Sequence, residues 1–222
     1  MEIIKLNGNT MGECAARAAG ILRAGGVVLY PTDTLYGLGA NALSDEAVAK
    51  VKLIKGRDEG KPIHAIVSDL DMAARYGEVG EDARMLAQEF GGKVTLIVKK
   101  RKDFDTGIMR GIPTFGFRVP DNQFCIALAR ALGTPVTATS ANKSGEKPER
   151  SPEKILTQLG HSNILENIGM LDLVIDAGEL PERAPSTVVD LSGAELELVV
   201  LREGAISAAS LHLPRAKGTT MQ

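Results

Sequence analysis

Tryptophan is absent from this chain of 222 residues, and cysteine, histidine and aromatic residues are scarce. The two cysteines, Cys14 and Cys125, form no CxxC pair, and the three histidines have no i, i+4 spacing, so neither a disulfide framework nor a zinc site is predicted. Aromatic residues make up 4% of the chain, which disfavours a surface for stacking single-stranded RNA. No apolar run approaches the ~18 residues of a membrane helix, and the first residues lack a signal-peptide pattern. We therefore expect a cytoplasmic protein that does not contact a membrane.

The chain also lacks a large excess of positive or negative charge. The chain has 26 lysines and arginines against 28 aspartates and glutamates, a formal net charge of −2, so any contact with nucleic acid must be local. No serine stands in a GxSxG motif, and no cysteine has an evident base partner. The sequence thus offers no covalent nucleophile and no side-chain cluster for a metal ion.

What the sequence does contain is a regular alternation of strand-like and helix-like segments. This pattern is typical of an α/β domain, and we count about seven strands with no linker between them. We therefore expect one domain over residues 1–211. The last residues, 212–222, have no periodicity and are expected to form a flexible tail.

The segment Gly25–Ala40, GGVVLYPTDTLYGLGA, is the most informative part of the chain. An apolar strand ends at Pro31, and the polar residues Thr32, Asp33 and Thr34 follow it directly. Open α/β sheets bind ligands at such strand ends. Two glycines, Gly37 and Gly39, are then expected to let the backbone turn tightly and approach a ligand closely.

Cations follow at Lys55, Arg57 and Lys61, in a loop punctuated by glycines. Such residues can simply complement a helix carboxyl end at the surface, or they can neutralise a triphosphate. On a later strand, Thr114, Gly116 and Arg118 share one face, which is polar and suits a ligand cavity. The guanidinium of Arg118 matches a carboxylate.

A serine-rich block, Ser140–Gly145, follows another short strand. Ser, Asn and Gly are ordinary turn residues, but short hydroxyls and free amides at a strand end also form a phosphate-binding nest. On the second interpretation, Ser140, Asn142 and Ser144 bind phosphate.

Taken together, these segments resemble the YrdC-like L-threonylcarbamoyladenylate synthases. The resemblance is carried, in the family's order, by PTDTLYGLG, KGR (55–57), TFGFRVP (114–120), SANKSG (140–145), PSTVVD (185–190) and LREGAIS (201–207). It implies a twisted, mostly open mixed sheet flanked by helices, with a central ligand cavity. It also implies the formation of threonylcarbamoyl-AMP and pyrophosphate from L-threonine, bicarbonate or CO2, and ATP. A separate transferase would then complete the threonylcarbamoyladenosine modification of tRNA.

The same resemblance assigns residues to each substrate. It places L-threonine on Thr32, Thr34, Arg118, Ala138 and Ser186. It places ATP, with Mg2+ on the triphosphate, on Lys55, Arg57, Lys61, Thr114, Ser140 and Arg202, to which the nest adds Asn142 and Ser144. Asp33 is expected to steer either the amine or a metal ion.

Four departures from the family pattern and two alternatives remain. Asp33 stands where the family more often has glutamate, which is a conservative change. The block Glu89–Thr95, EFGGKVT, lacks the family's tryptophan and prolines, LREG replaces LRPG at Glu203, and a histidine that contacts threonine in some members is replaced by Ile66. A non-catalytic RNA-binding member of the same fold could use the basic segments Lys99–Lys102 and Lys143–Arg150. A dinucleotide oxidoreductase is the weaker alternative, suggested by the GxGxxA spacing that begins at Gly37.

Overall fold

The computed structural model describes residues 1–8, 10–56, 60–160, 171–193 and 198–211. The strands among these residues are β1 (Glu2–Lys5), β2 (Val28–Pro31), β3 (Tyr36–Gly39), β4 (His64–Ile66), β5 (Val94–Lys99), β6 (Thr114–Arg118), β7 (Val136–Ser140), β8 (Leu173–Asp176), β9 (Thr187–Asp190) and β10 (Val199–Arg202). The α-helices are α1 (Met11–Arg23), α2 (Asp45–Lys55), α3 (Leu70–Tyr76), α4 (Glu81–Phe90), α5 (Gln123–Leu132) and α6 (Pro152–Gly160). None of the described helices is long and apolar enough to cross a membrane.

All the strands belong to one mixed sheet, in the order β1-β8-β2-β3-β7-β4-β6-β5-β9-β10. The predicted α/β class and the mixed sheet are confirmed, but the expected number of about seven strands is wrong, because the described residues contain ten. Strand β1 is short and largely exposed, so its apolar pattern is weak. Strand β3 contains two glycines, which usually weaken a strand.

Strand β3 also corrects the expected glycine turn. Gly37 and Gly39 lie within the strand, paired with Tyr30 and Val28 of β2, so they form neither a tight turn nor a dinucleotide-binding loop. A Cβ atom at either glycine would lie about 3 Å from the Tyr30 ring. The predicted close approach therefore exists, but it is made by a buried tyrosine ring.

Strand β7 joins the two parts of the sheet that surround the site. Its carboxyl end pairs with β3, at Thr139 and Ser140, and the rest of the strand pairs with β4, from Val136 to Ala138. Residues at the end of β2, on β4 and on β7 are thereby brought side by side. This arrangement explains why polar residues far apart in sequence can meet in one cavity.

Helix α2 leads to the predicted cationic loop. Its start is capped by Ser44, whose Oγ accepts from the backbone N of Ala47 at 3.2 Å. Its end is capped by Gly56 in the left-handed conformation, with φ of +56°. Arg57 and the predicted tail, residues 212–222, lie outside the described residues, so the expectations for both remain predictions.

Candidate functional site

A cavity of roughly 430 Å³ lies among β2, β3, β4, β6 and β7 and the segment 177–186 that follows β8. Its volume is within the range of small-molecule sites. Many of the predicted binding residues line it: Thr32, Thr34, Arg118, Ala138, Ser140, Ser186 and Arg202. Two of the three tyrosines, Tyr30 and Tyr36, also line the cavity. The sheet therefore brings together one group of predicted residues from five different sequence blocks.

Other predicted residues are not in the cavity wall. Lys55, Lys61, Thr114, Asn142 and Ser144 are not among the described lining residues, although Pro62, next to Lys61, is. Thr114 is at the first position of β6, opposite Lys99 and four residues before Arg118. The backbone N of Ser144 donates to the carbonyl oxygen of Lys55 at 2.8 Å.

Lys55 is buried beneath the serine-rich block, with 2% of its surface exposed. Its Nζ donates to the carbonyl oxygen of Ser140, to that of Asn142 at 2.8 Å, and to Oδ1 of Asn142 at 3.2 Å. Oδ1 of Asn142 also accepts from the Ser140 hydroxyl. Lys55 therefore holds the main chain of Ser140 and Asn142, and the side chain of Asn142, in place.

The two threonines after β2 differ in their contacts. The Thr32 hydroxyl donates to the carbonyl oxygen of Leu35 at 2.7 Å and accepts from the backbone N of Thr34 at 3.0 Å. Such bonds form a local turn. The Thr34 hydroxyl lies 3.1 Å from that of Thr32. Thr34 is thus better placed than Thr32 to offer its hydroxyl to a ligand.

Asp33, between these threonines, forms a buried ion pair with Arg118. Its Oδ1 accepts from Nη1 of Arg118 at 2.6 Å, and the two side chains are only 7% and 6% exposed. The same nitrogen of Arg118 donates to the carbonyl oxygen of Gly92 at 3.0 Å. The Asp33 carboxylate, which we expected to bind an amine or a metal ion, is thus held by protein donors.

His64 was not predicted as a site residue, because the sequence was tested for histidines only as zinc ligands. It lines the cavity on β4, opposite Ala138. A Cβ atom at Gly116 would lie 2.4 Å from its ring, so the glycine makes room for the imidazole. The sequence did contain a signal for it. Ile66 replaces a histidine that contacts threonine in some members of the family, and His64, two residues earlier on the same strand, shares a face with Ile66.

Thr95 was missed as well. Its hydroxyl lies 2.8 Å from that of Ser186 in a buried contact, and both residues line the cavity. The pair offers a ligand two adjacent hydroxyls, one on β5 and one directly before β9. Thr95 is the last residue of the EFGGKVT block, which departs from the family pattern.

The electrostatic character of the cavity is positive. Its described lining contains five cations, Arg118, Lys147, Arg150, Arg183 and Arg202, but a single carboxylate, Glu182. Arg118 and Arg150 are paired with Asp33 and Glu179, and the other three cations still outnumber Glu182. The chain as a whole has a formal charge of −2, so this local excess is a property of the cavity. A cavity of this kind concentrates anions.

Arg202 lines the cavity from the end of β10 and is only partly shielded from solvent. Its Nη2 donates to the carbonyl oxygen of Ser186 at 2.8 Å, and burial lowers the pKa of its guanidinium. Arginine nevertheless stays protonated at working pH. Arg202 can therefore place a permanent charge beside the Thr95 and Ser186 hydroxyls.

Tyr36 anchors the segment 177–186 over the cavity. Its hydroxyl accepts from the backbone N of Ala177 and donates to the carbonyl oxygen of Gly178, both at 2.9 Å. Burial raises the pKa of Tyr36 to about 12, so the hydroxyl keeps its proton and both bonds at neutral pH. The segment contributes Glu182, Arg183 and Ser186 to the cavity wall.

We expect Tyr36→Phe to loosen this segment. Loss of the two hydrogen bonds should raise amide hydrogen exchange in a peptide covering 173–186 by roughly 10- to 100-fold, measured by mass spectrometry. Tyr76→Phe is the matched control, because Tyr76 packs against Phe104 away from the cavity. Unchanged exchange in Tyr36→Phe would show that the segment is held by other contacts.

No group of three or more His, Cys, Asp or Glu side chains within the described ranges could hold a metal ion. The Asp33 carboxylate, the acidic group nearest the predicted threonine residues in sequence, already accepts from Arg118 and from the backbone N of Asp121 at 2.9 Å.

Comparison with known proteins agrees with this geometry. The Sua5/YciO/YrdC family model, described as "Telomere recombination", matches residues 20–204. Threonylcarbamoyl-AMP synthase from Rattus norvegicus is 37% identical over 186 residues, which are 81% of this chain and 63% of the relative. The chain therefore spans less than two thirds of that relative.

Solved structures give the same result. P. abyssi Sua5 complexed with L-threonine superposes with a TM-score of 0.81 at 32% identity, covering 92% of this chain and 58% of that one. E. coli YciO superposes with a TM-score of 0.78 at 29% identity, covering 95% and 98%. Because the family model matches most of its length, the chain belongs to the Sua5/YciO/YrdC family.

Proposed function

We propose that this protein is an L-threonylcarbamoyladenylate synthase, a nucleotidyltransferase that makes threonylcarbamoyl-AMP and pyrophosphate from L-threonine, bicarbonate and ATP. The observation that carries the proposal is the convergence of Thr34, Arg118, Ser140, Ser186 and Arg202 on one cavity with an excess of positive charge. Relatives are named threonylcarbamoyl-AMP synthase, and the Sua5 neighbour was solved with L-threonine.

The reaction needs no covalent enzyme intermediate. The threonine amine attacks CO2 or bicarbonate, forming a carbamate and, from bicarbonate, releasing water. A carbamate oxygen then attacks the α-phosphorus of ATP, and the bond to the β-phosphate breaks to release pyrophosphate. The protein must hold two anionic reactants together and exclude water from the carbamate.

The residues present suit these tasks. Arg118 would bind the threonine carboxylate, and the hydroxyls of Thr34, Thr95 and Ser186 would orient the amino acid. Arg202, Arg183 and Lys147 would neutralise phosphate oxygens, beside Ser140 in the cavity wall. The predicted nest of free amides is not found at residues 141–144, because these four backbone N atoms already donate to oxygens of the protein. We propose that Mg2+ enters bound to the triphosphate as part of the ATP substrate.

Pyrophosphate release tests the proposal directly. With ATP and Mg2+, we expect release to require both L-threonine and bicarbonate, because the carbamate is the nucleophile. Release should be followed by a coupled phosphate assay, and the nucleotide product by mass spectrometry. If ATP binds but no threonine-dependent release occurs, the catalytic proposal is wrong.

In that event the RNA-binding alternative would become the leading hypothesis. It has less support now, because some cations of its basic segments already contact carboxylates. Lys100 contacts Asp105, and Arg150 contacts Glu179 at 2.8 Å. As a synthase, the protein would work in the cytoplasm and supply a tRNA threonylcarbamoyl transferase, and direct contact with tRNA remains part of the proposal to be tested.

A further inference from the structure

We infer that Asp33 is a positioning residue, which fixes the guanidinium of Arg118 so that one edge of it is presented to the carboxylate of the substrate. The inference rests on the function proposed above, in which Arg118 binds L-threonine. Asp33 is not among the described residues that line the cavity. Its effect on a ligand must therefore pass through the groups that it holds.

Asp33 holds two arginines of the cavity at once. Its Oδ1 accepts from Arg118, and its main-chain oxygen accepts from Nη1 of Arg183 at 2.7 Å. The second carboxylate oxygen, Oδ2, accepts from the backbone N of Asp121 at 2.9 Å. The carboxylate is therefore fixed at both oxygens, and its burial leaves the ion pair little screened by salt.

The hydrogen bonds of Arg118 divide its guanidinium into two edges. Nη1 donates to Asp33 and to the carbonyl oxygen of Gly92, which accounts for both of its hydrogens. Nε and Nη2 have no acceptor among the described residues. These two nitrogens form the side-on edge of the group, which can bind both oxygens of one carboxylate. One edge is thus used by the protein, and the other is left for a ligand in the cavity that Arg118 lines.

Gly92 packs directly against the carboxylate of Asp33. A Cβ atom there would lie 2.0 Å from Oδ2 of Asp33 and 2.6 Å from the backbone N of Asp121. Alanine at this position must displace the Asp33 carboxylate. Gly92, within the EFGGKVT block, is therefore a residue that the ion pair requires. It also provides a second and independent way to disturb Asp33.

Binding and kinetics of Asp33→Asn and Gly92→Ala test the inference. We expect the Kd and KM for L-threonine to rise roughly 10- to 100-fold, because the carboxylate ligand is no longer held in a fixed orientation. The KM for ATP should change by less than about threefold, because Asp33→Asn keeps the main-chain oxygen that holds Arg183. L-Threoninamide lacks the carboxylate and should bind the wild-type protein more weakly than L-threonine does. In both variants this difference in Kd should disappear.

Asp45→Asn is the matched control. Asp45 also accepts from an arginine, Arg110, and from a backbone N, that of Gly107 at 2.7 Å, but it lies on the surface away from the cavity. Its variant should leave the KM for L-threonine unchanged. Thermal melting of each variant measures how far the substitution lowers the stability of the folded protein.

The outcomes separate the two proposals. If the wild-type protein releases pyrophosphate but both variants keep wild-type affinity and discrimination against L-threoninamide, Asp33 only stabilises the fold and the inference is wrong. If the wild-type protein neither binds L-threonine nor releases pyrophosphate, the proposed function fails and the inference fails with it.

Discussion

Arg118→Ala is expected to lower threonine-dependent pyrophosphate release by at least about 100-fold, because it removes the cation that would bind the substrate carboxylate. Arg118→Lys should recover only a small part of this activity, since an ammonium group cannot reproduce the forked contact. The measurement is initial-rate kinetics over a range of L-threonine concentrations, corrected for the folded fraction.

The same variant separates the catalytic role of Arg118 from its structural role. Without Arg118, the Asp33 carboxylate is buried with no cation, which should cost about 3–5 kcal/mol of unfolding free energy in a urea titration. The double variant Asp33→Asn with Arg118→Ala should regain part of that stability but none of the activity. Arg110→Ala, which removes an exposed ion pair, should cost at most about 1 kcal/mol. A double variant that regained activity together with stability would exclude Arg118 from substrate binding.

Lys55→Met is expected to destabilise the protein by about 3–5 kcal/mol and to abolish pyrophosphate release. Methionine fills most of the volume of the lysine but leaves the oxygens of Ser140 and Asn142 buried without their donor. The serine-rich block would then change shape, and with it the proposed phosphate site. Urea unfolding followed by circular dichroism measures the stability, and the ATP concentration dependence measures the site.

Lys50→Met on the same helix is the control for this prediction. Lys50 donates to one main-chain oxygen, that of Gly25, at 2.8 Å and is partly exposed. Its replacement should cost no more than about 1.5 kcal/mol. Equal losses in the two variants would mean that Lys55 has no special part in shaping the block.

The local features of the site could be predicted because they depend on short stretches of sequence. Pro31 ends a strand, the polar residues Thr32 and Thr34 follow it, and the period-two pattern places Arg118 on a polar face. Ser44 and Gly56 likewise have the residue types that begin and end a helix. In each case the physical cause lies within a few residues.

The features that were missed depend on contacts between distant segments. The partner of Asp33 is 85 positions away, and the acceptors of Lys55 are 85 and 87 positions away. In β3, the Tyr30 ring occupies the space that a side chain at either glycine would need, and this contact cannot be read from local propensity. A buried lysine contradicts the usual exposure of the residue type and becomes understandable only when its three acceptors are known.

The distribution of the tyrosines makes the protein suited to optical measurement. Without tryptophan, its intrinsic emission comes from Tyr30, Tyr36 and Tyr76 alone. The first two line the cavity, while Tyr76 packs in the aromatic cluster with Phe104 and Phe115. A change of emission on adding a ligand therefore reports on the cavity against the background from Tyr76.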